Sequence, residues 1–161
     1  MCHATVELIL SEEFAEGTHL HELLKKKFPD TAIDPAIGEF VKYLVLAAGM
    51  NSDSPLPVAS IVDEIWHTCI LQTKEYERIC RKAGFHGILH HRSASSVHVI
   101  EPDEELGLSW LANYVGQIDE FTDETLGYWP AAMNLVRKMG WSVQQLNGFC
   151  QHIFRKAAHA R

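Results

Sequence analysis

The chain of 161 residues contains no CxxC pair; its four cysteines, Cys2, Cys69, Cys80 and Cys150, stand far apart. That spacing excludes a zinc ribbon and reads as reduced, mostly buried thiols. Basic charge is scarce: no lysine or arginine block exceeds the KKK at 25–27, and 14 basic residues face 21 acidic ones for a formal net charge of -7. Neutralising duplex phosphates needs a concentrated basic face, so duplex nucleic acid is not an expected partner. Long apolar runs are missing as well. None approaches the roughly 18 residues of a membrane span, and the opening MCHATVELIL lacks the basic start of a secretory signal, so a cytoplasmic protein without membrane contact is the expectation. There is no Gly-rich phosphate loop, no nucleotide fingerprint and no Ser–His–Asp order, so no motif names a substrate.

What is present is apolar residues in helical register. Hydrophobic residues make up 47% of the chain, enough to bury a substantial core in one domain spanning 1–161. The stretch SEEFAEGTHLHELLKKKF reads as helical from Ser11, weakened at Gly17 and ended by Pro29. In DPAIGEFVKYLVLAAGM, Asp34 can cap and Pro35 suits the first turn. Ile37, Phe40, Val41, Leu44, Val45 and Ala48 then recur at 3.6-residue spacing. From about Pro57 one long helix is expected to run to Gly84, placed where a left-handed C-cap residue belongs. Residues 85–102 read as irregular, with SVHVI extended. Helices follow from Asp103, from near Thr122 with an interruption before Pro130 and on to Met139, and from the capping box of Ser142 and Gln145. The expected architecture is all-α, five to seven helices around one core.

Ten histidines are many for this length, and the segment VDEIWHTCILQTKEYERICRKAGFHGILHH concentrates the chemistry. At 100° per residue, Val62, Ile65, Trp66, Cys69, Tyr76, Ile79 and Cys80 gather on one broad apolar side, with Tyr76 expected to leave its hydroxyl near solvent. Asp63 and His67 fall within about 40° of each other on the flank of that face. As neighbours in adjacent turns they can both bind one metal, or Asp63 can orient His67 as a base. Glycines at 84 and 87 permit the chain to turn back, so that His90 or His91 can add a further ligand. Imidazole and carboxylate together suit a divalent transition metal, zinc first. An isolated Asp–His pair at this spacing is more often an ordinary helix-flank hydrogen bond than a site. His19 and His21 read as residues of a wet helix edge.

The same residues resemble the motif of the glycine-rich domain-containing protein-like family. Asp63, Trp66, His67, Ile70, Leu71, Tyr76, Cys80, Gly87, His90 and His91 match it in order over about 30 of the 161 residues. The chain departs from it at Cys69, where the plant form has a second histidine, and at Arg92, where small relatives carry proline. The resemblance implies a helical unit with a polar cluster and supplies no reaction.

The expected function is therefore a small helical domain whose Asp63, His67, His90 and His91 form a divalent-metal site, with an unidentified protein or small molecule as partner. The alternative is a non-enzymatic acidic interaction module, an adaptor or inhibitor, using Glu104, Glu105, Asp119 and Asp123. A third reading makes the histidines a pH-sensitive structural network.

Overall fold

A computed structural model of the chain describes residues 2–50, 56–90 and 104–160. Among them are eight α-helices: α1 (Cys2–Glu13), α2 (His19–Lys27), α3 (Asp34–Met50), α4 (Ser60–Leu71), α5 (Thr73–Ala83), α6 (Glu104–Gln117), α7 (Pro130–Met139) and α8 (Val143–His159). A 3-10 turn, Thr125–Tyr128, precedes α7. The all-α class stands, and the helix count exceeds the expected five to seven because two segments read as continuous are broken.

The first break lies in the amino-terminal stretch. The helix begins at Cys2 rather than Ser11 and stops at Glu13, because Gly17 takes a left-handed φ of 87° and turns the chain. Thr18 then caps α2 by accepting from the His21 amide, and Lys25, Lys26 and Lys27 complement its carboxyl end.

The second break falls at Gln72, whose φ and ψ of -95° and 70° end α4 and start α5. No glycine or proline marks it. Its consequence is a hydrogen bond of 2.9 Å between the Trp66 indole N–H and the Tyr76 hydroxyl, ten residues apart. In a straight helix those residues would be separated by about 15 Å along the axis, so the bond exists only because α5 folds back on α4. The expected left-handed cap at Gly84 is present, with φ 112°.

Helix α3 is the hub. It touches α1, α4, α5, α6 and the 3-10 turn. Phe40, Val41, Tyr43, Leu44, Leu46 and Ala47 are all buried, as expected of a helix apolar nearly all round. Tyr43 lies stacked on Trp110, with ring centroids 5.0 Å apart, and it also packs against Trp66 and Trp129. Within this apolar hub Glu39 is only 3% exposed. Its carboxylate accepts from Trp129 Nε1 at 2.7 Å, Tyr114 Oη at 3.0 Å and Lys42 Nζ at 2.9 Å, tying α3 to α6 and to the start of α7. The Lys42 ammonium also donates to Asp119 and Tyr114. Burial pulls the Lys42 pKa down, but the two carboxylates outweigh it and hold it above the ordinary lysine value.

The carboxy-terminal helix follows from its capping box, which is formed as expected by Ser142 and Gln145. It lies against α6, where Gly116 leaves room for the Phe154 ring. Buried Asn147 clamps the intervening loop by exchanging two hydrogen bonds with the Phe121 backbone, each 2.9 Å. No helix among the described residues is long and apolar enough to cross a membrane.

Candidate functional site

Helix α4 presents Asp63, in its first turn, and His67 side by side. His67 Nδ1 stands 3.3 Å from Asp63 Oδ2, and both side chains are a little over one-third exposed. Trp66, between them in sequence, turns inward and is buried. The helix therefore splits its residues as the wheel requires, an indole to the core and a carboxylate–imidazole pair to the rim.

The return of the chain after α5 is held by a relay of two hydrogen bonds. Trp66 Nε1 donates to Tyr76 Oη at 2.9 Å, and that hydroxyl donates to the Leu89 carbonyl at 2.6 Å. The Tyr76 hydroxyl is thus committed at the interior, not near solvent as the wheel suggests, and the residue is 2% exposed. Burial pushes its pKa upward, so it remains a neutral donor at physiological pH. Cys69 and Cys80 are fully buried beside the relay. Burial drives the Cys69 thiol up to about 12, with Cys80 adding to the shift, and raises the Cys80 thiol as well. Both behave as small core residues rather than ligands.

Of the four expected ligands, the structure brings Asp63 and His67 together. His90 follows the tethered Leu89 and is exposed, and His91 lies outside the described residues. Among the described residues no group of three histidine, cysteine or acidic side chains is close enough to hold a metal ion. SVHVI also lies outside them. Of the acidic alternative's carboxylates, Glu104 pairs with Lys138 at 2.8 Å and Asp119 with Lys42 at 3.2 Å.

A different histidine is placed unlike the sequence expectation. His19 is exposed and pairs with Gln72 Oε1 at 3.0 Å, as a wet helix edge allows. His21 is 5% exposed and its Nε2 bonds Asp34 Oδ1 at 2.8 Å. Asp34, at the start of α3, is a partner that the local periodicity of α2 does not encode. The only sequence signal was Asp34 itself, read as a cap for its own helix.

A family model, UCP032817-like, matches residues 10–126, and the chain belongs to that family. The match runs from the end of α1 into the 3-10 turn, far beyond the window at 62–91. It overturns the resemblance to the glycine-rich domain-containing family, which nothing supports. Several residues that carried that resemblance have packing roles here: Trp66, Tyr76 and Cys80 are core, and Leu71 is simply exposed. No curated protein and no solved structure matched the chain.

Proposed function

We propose that this member of the UCP032817-like family binds a divalent transition metal, zinc first, through Asp63 and His67 on α4 and through His90 and His91, which follow α5 in sequence. The observation that supports the reading is the 3.3 Å between His67 Nδ1 and Asp63 Oδ2. A charge-assisted hydrogen bond between such groups is shorter, about 2.7–2.9 Å. Two ligands of one tetrahedral zinc, each about 2.0–2.1 Å from the metal, sit roughly 3.3–3.4 Å apart, the edge of the tetrahedron. The relay through Tyr76 supports it further, because it fastens Leu89, the residue before His90, to the helix that carries His67. A site closed by four protein ligands staples the segment to α4. A site with an open position would activate water.

The test is elemental analysis of untagged protein together with zinc titration of the wild type, His67→Ala and the His90→Ala/His91→Ala pair. Near-stoichiometric metal that is lost in both variants supports the site. Because the ligating imidazole must be neutral, affinity falls on acidification. Wild-type protein that neither carries metal nor changes its melting temperature with added zinc refutes the reading and leaves the histidines as a structural network.

A further inference from the structure

Independently of the metal reading, we infer that the cleft between α1, α2 and the start of α3 is a binding site for a small zwitterion with an aliphatic side chain, an α-amino acid of the leucine type. The cavity has a volume of about 390 Å³, within the range of roughly 300–1,000 Å³ typical of small-molecule sites. One wall is apolar and belongs to the core: Leu10, Phe14 and Ile37. The rim carries charges of both signs, Lys25 on α2 against Glu16 and Asp34.

Two features distinguish this rim from an ordinary wet surface. The first is the buried His21, whose Nε2–H donates to Asp34 Oδ1 and so orients the carboxylate. The Asp34 side chain itself remains 77% exposed. One oxygen is engaged by the protein, leaving the other to accept from a ligand ammonium, a preorganised acceptor that loses little freedom on binding. The second is that, among the described residues, neither Lys25 nor Glu16 has an ion-pair or hydrogen-bond partner in the chain. An unengaged cation and an unengaged anion at the mouth of a cleft with one apolar wall match a ligand carrying both opposite charges and a hydrocarbon tail. A purely cationic ligand would meet Lys25, and a purely anionic one would meet Glu16 and Asp34; each arrangement places like charges together at a cost.

The experiment is an NMR amide-shift titration of the full chain with L-leucine, 3-methylbutylamine and 4-methylpentanoate, on the wild type and on Lys25→Met and Asp34→Asn. Saturable shifts of α1, α2 and α3 amides with L-leucine, and at least about tenfold weaker binding of both truncated compounds, are expected. Lys25→Met, at an exposed position, weakens leucine without weakening the amine, and Asp34→Asn weakens leucine without weakening the acid. Absence of saturable shifts with leucine overturns the inference. So does either truncated compound binding as tightly as leucine, or leucine affinity that Lys25→Met leaves unchanged.

Discussion

Replacing Glu39 by glutamine is the sharpest probe of how this fold is held, because the change is nearly isosteric and alters only charge and one acceptor. The carboxylate accepts from an indole N–H, a phenol O–H and an ammonium. A glutamine oxygen can serve only some of these donors, and its NH2 must face another donor. Tyr114 and Trp129 are fully buried, so an abandoned donor there finds no water. The Lys42 ammonium keeps Asp119 alone as its counter-charge. Breaking one partner out of a buried ion pair costs about 3–5 kcal/mol, against a total stability of roughly 5–15 kcal/mol for a domain. At about 2–4 °C per kcal/mol for a chain of this size, Glu39→Gln lowers Tm by roughly 6–20 °C. Urea and thermal melts followed by circular dichroism measure both quantities. Much of the cost comes from the stranded ammonium, so Glu39→Gln/Lys42→Met recovers about 1–3 kcal/mol relative to the sum of the single changes. A Glu39→Gln protein within about 1 kcal/mol of wild type, or strict additivity in the double variant, would refute the reasoning.

Glu13 makes stability depend on acid. It is buried, and burial by itself raises its pKa, but bonds from Arg78, two of 2.7 Å, and from Lys82 outweigh that and hold it below the ordinary value of 4.5. A depressed folded pKa gives stability that is complete above the unfolded pKa and is lost as pH falls through the folded one. The urea midpoint of the wild type therefore declines on acidification below about pH 4.5. Glu13→Gln starts about 1–3 kcal/mol lower at neutral pH and shows a shallower decline; parallel profiles would show that Glu13 is not the group responsible. At the α6–α8 crossing, a Cβ on Gly116 would lie 2.2 Å from Phe154 Cγ. Gly116→Ala is expected to cost about 1–3 kcal/mol by overpacking, although alanine is the better helix former. Phe154→Leu in that background should relieve part of the cost, and a stabilised Gly116→Ala protein would mean that the two helices do not cross there.

The helices themselves were legible where local chemistry decides them. The apolar period of α3, the left-handed glycine at 84 and the Ser142–Gln145 box depend on residues within a turn or two of one another. So was the pairing of Asp63 with His67, since i and i+4 on one helix need no tertiary information. The break at Gln72 was not legible, because no local breaker causes it; its opposed faces meet through the Trp66–Tyr76–Leu89 relay. The burial of His21 was hidden for the same reason, its partner Asp34 belonging to another helix. Nothing local in the sequence singles out Glu39, and only the convergence of Trp129, Tyr114 and Lys42 makes a buried carboxylate tolerable there. Sequence alone determined which segments coil and which faces are apolar, since those follow from backbone periodicity and short-range caps. The tertiary structure decided which polar groups are buried and what they meet, because desolvation and hydrogen bonding depend on neighbours brought together from distant parts of the chain.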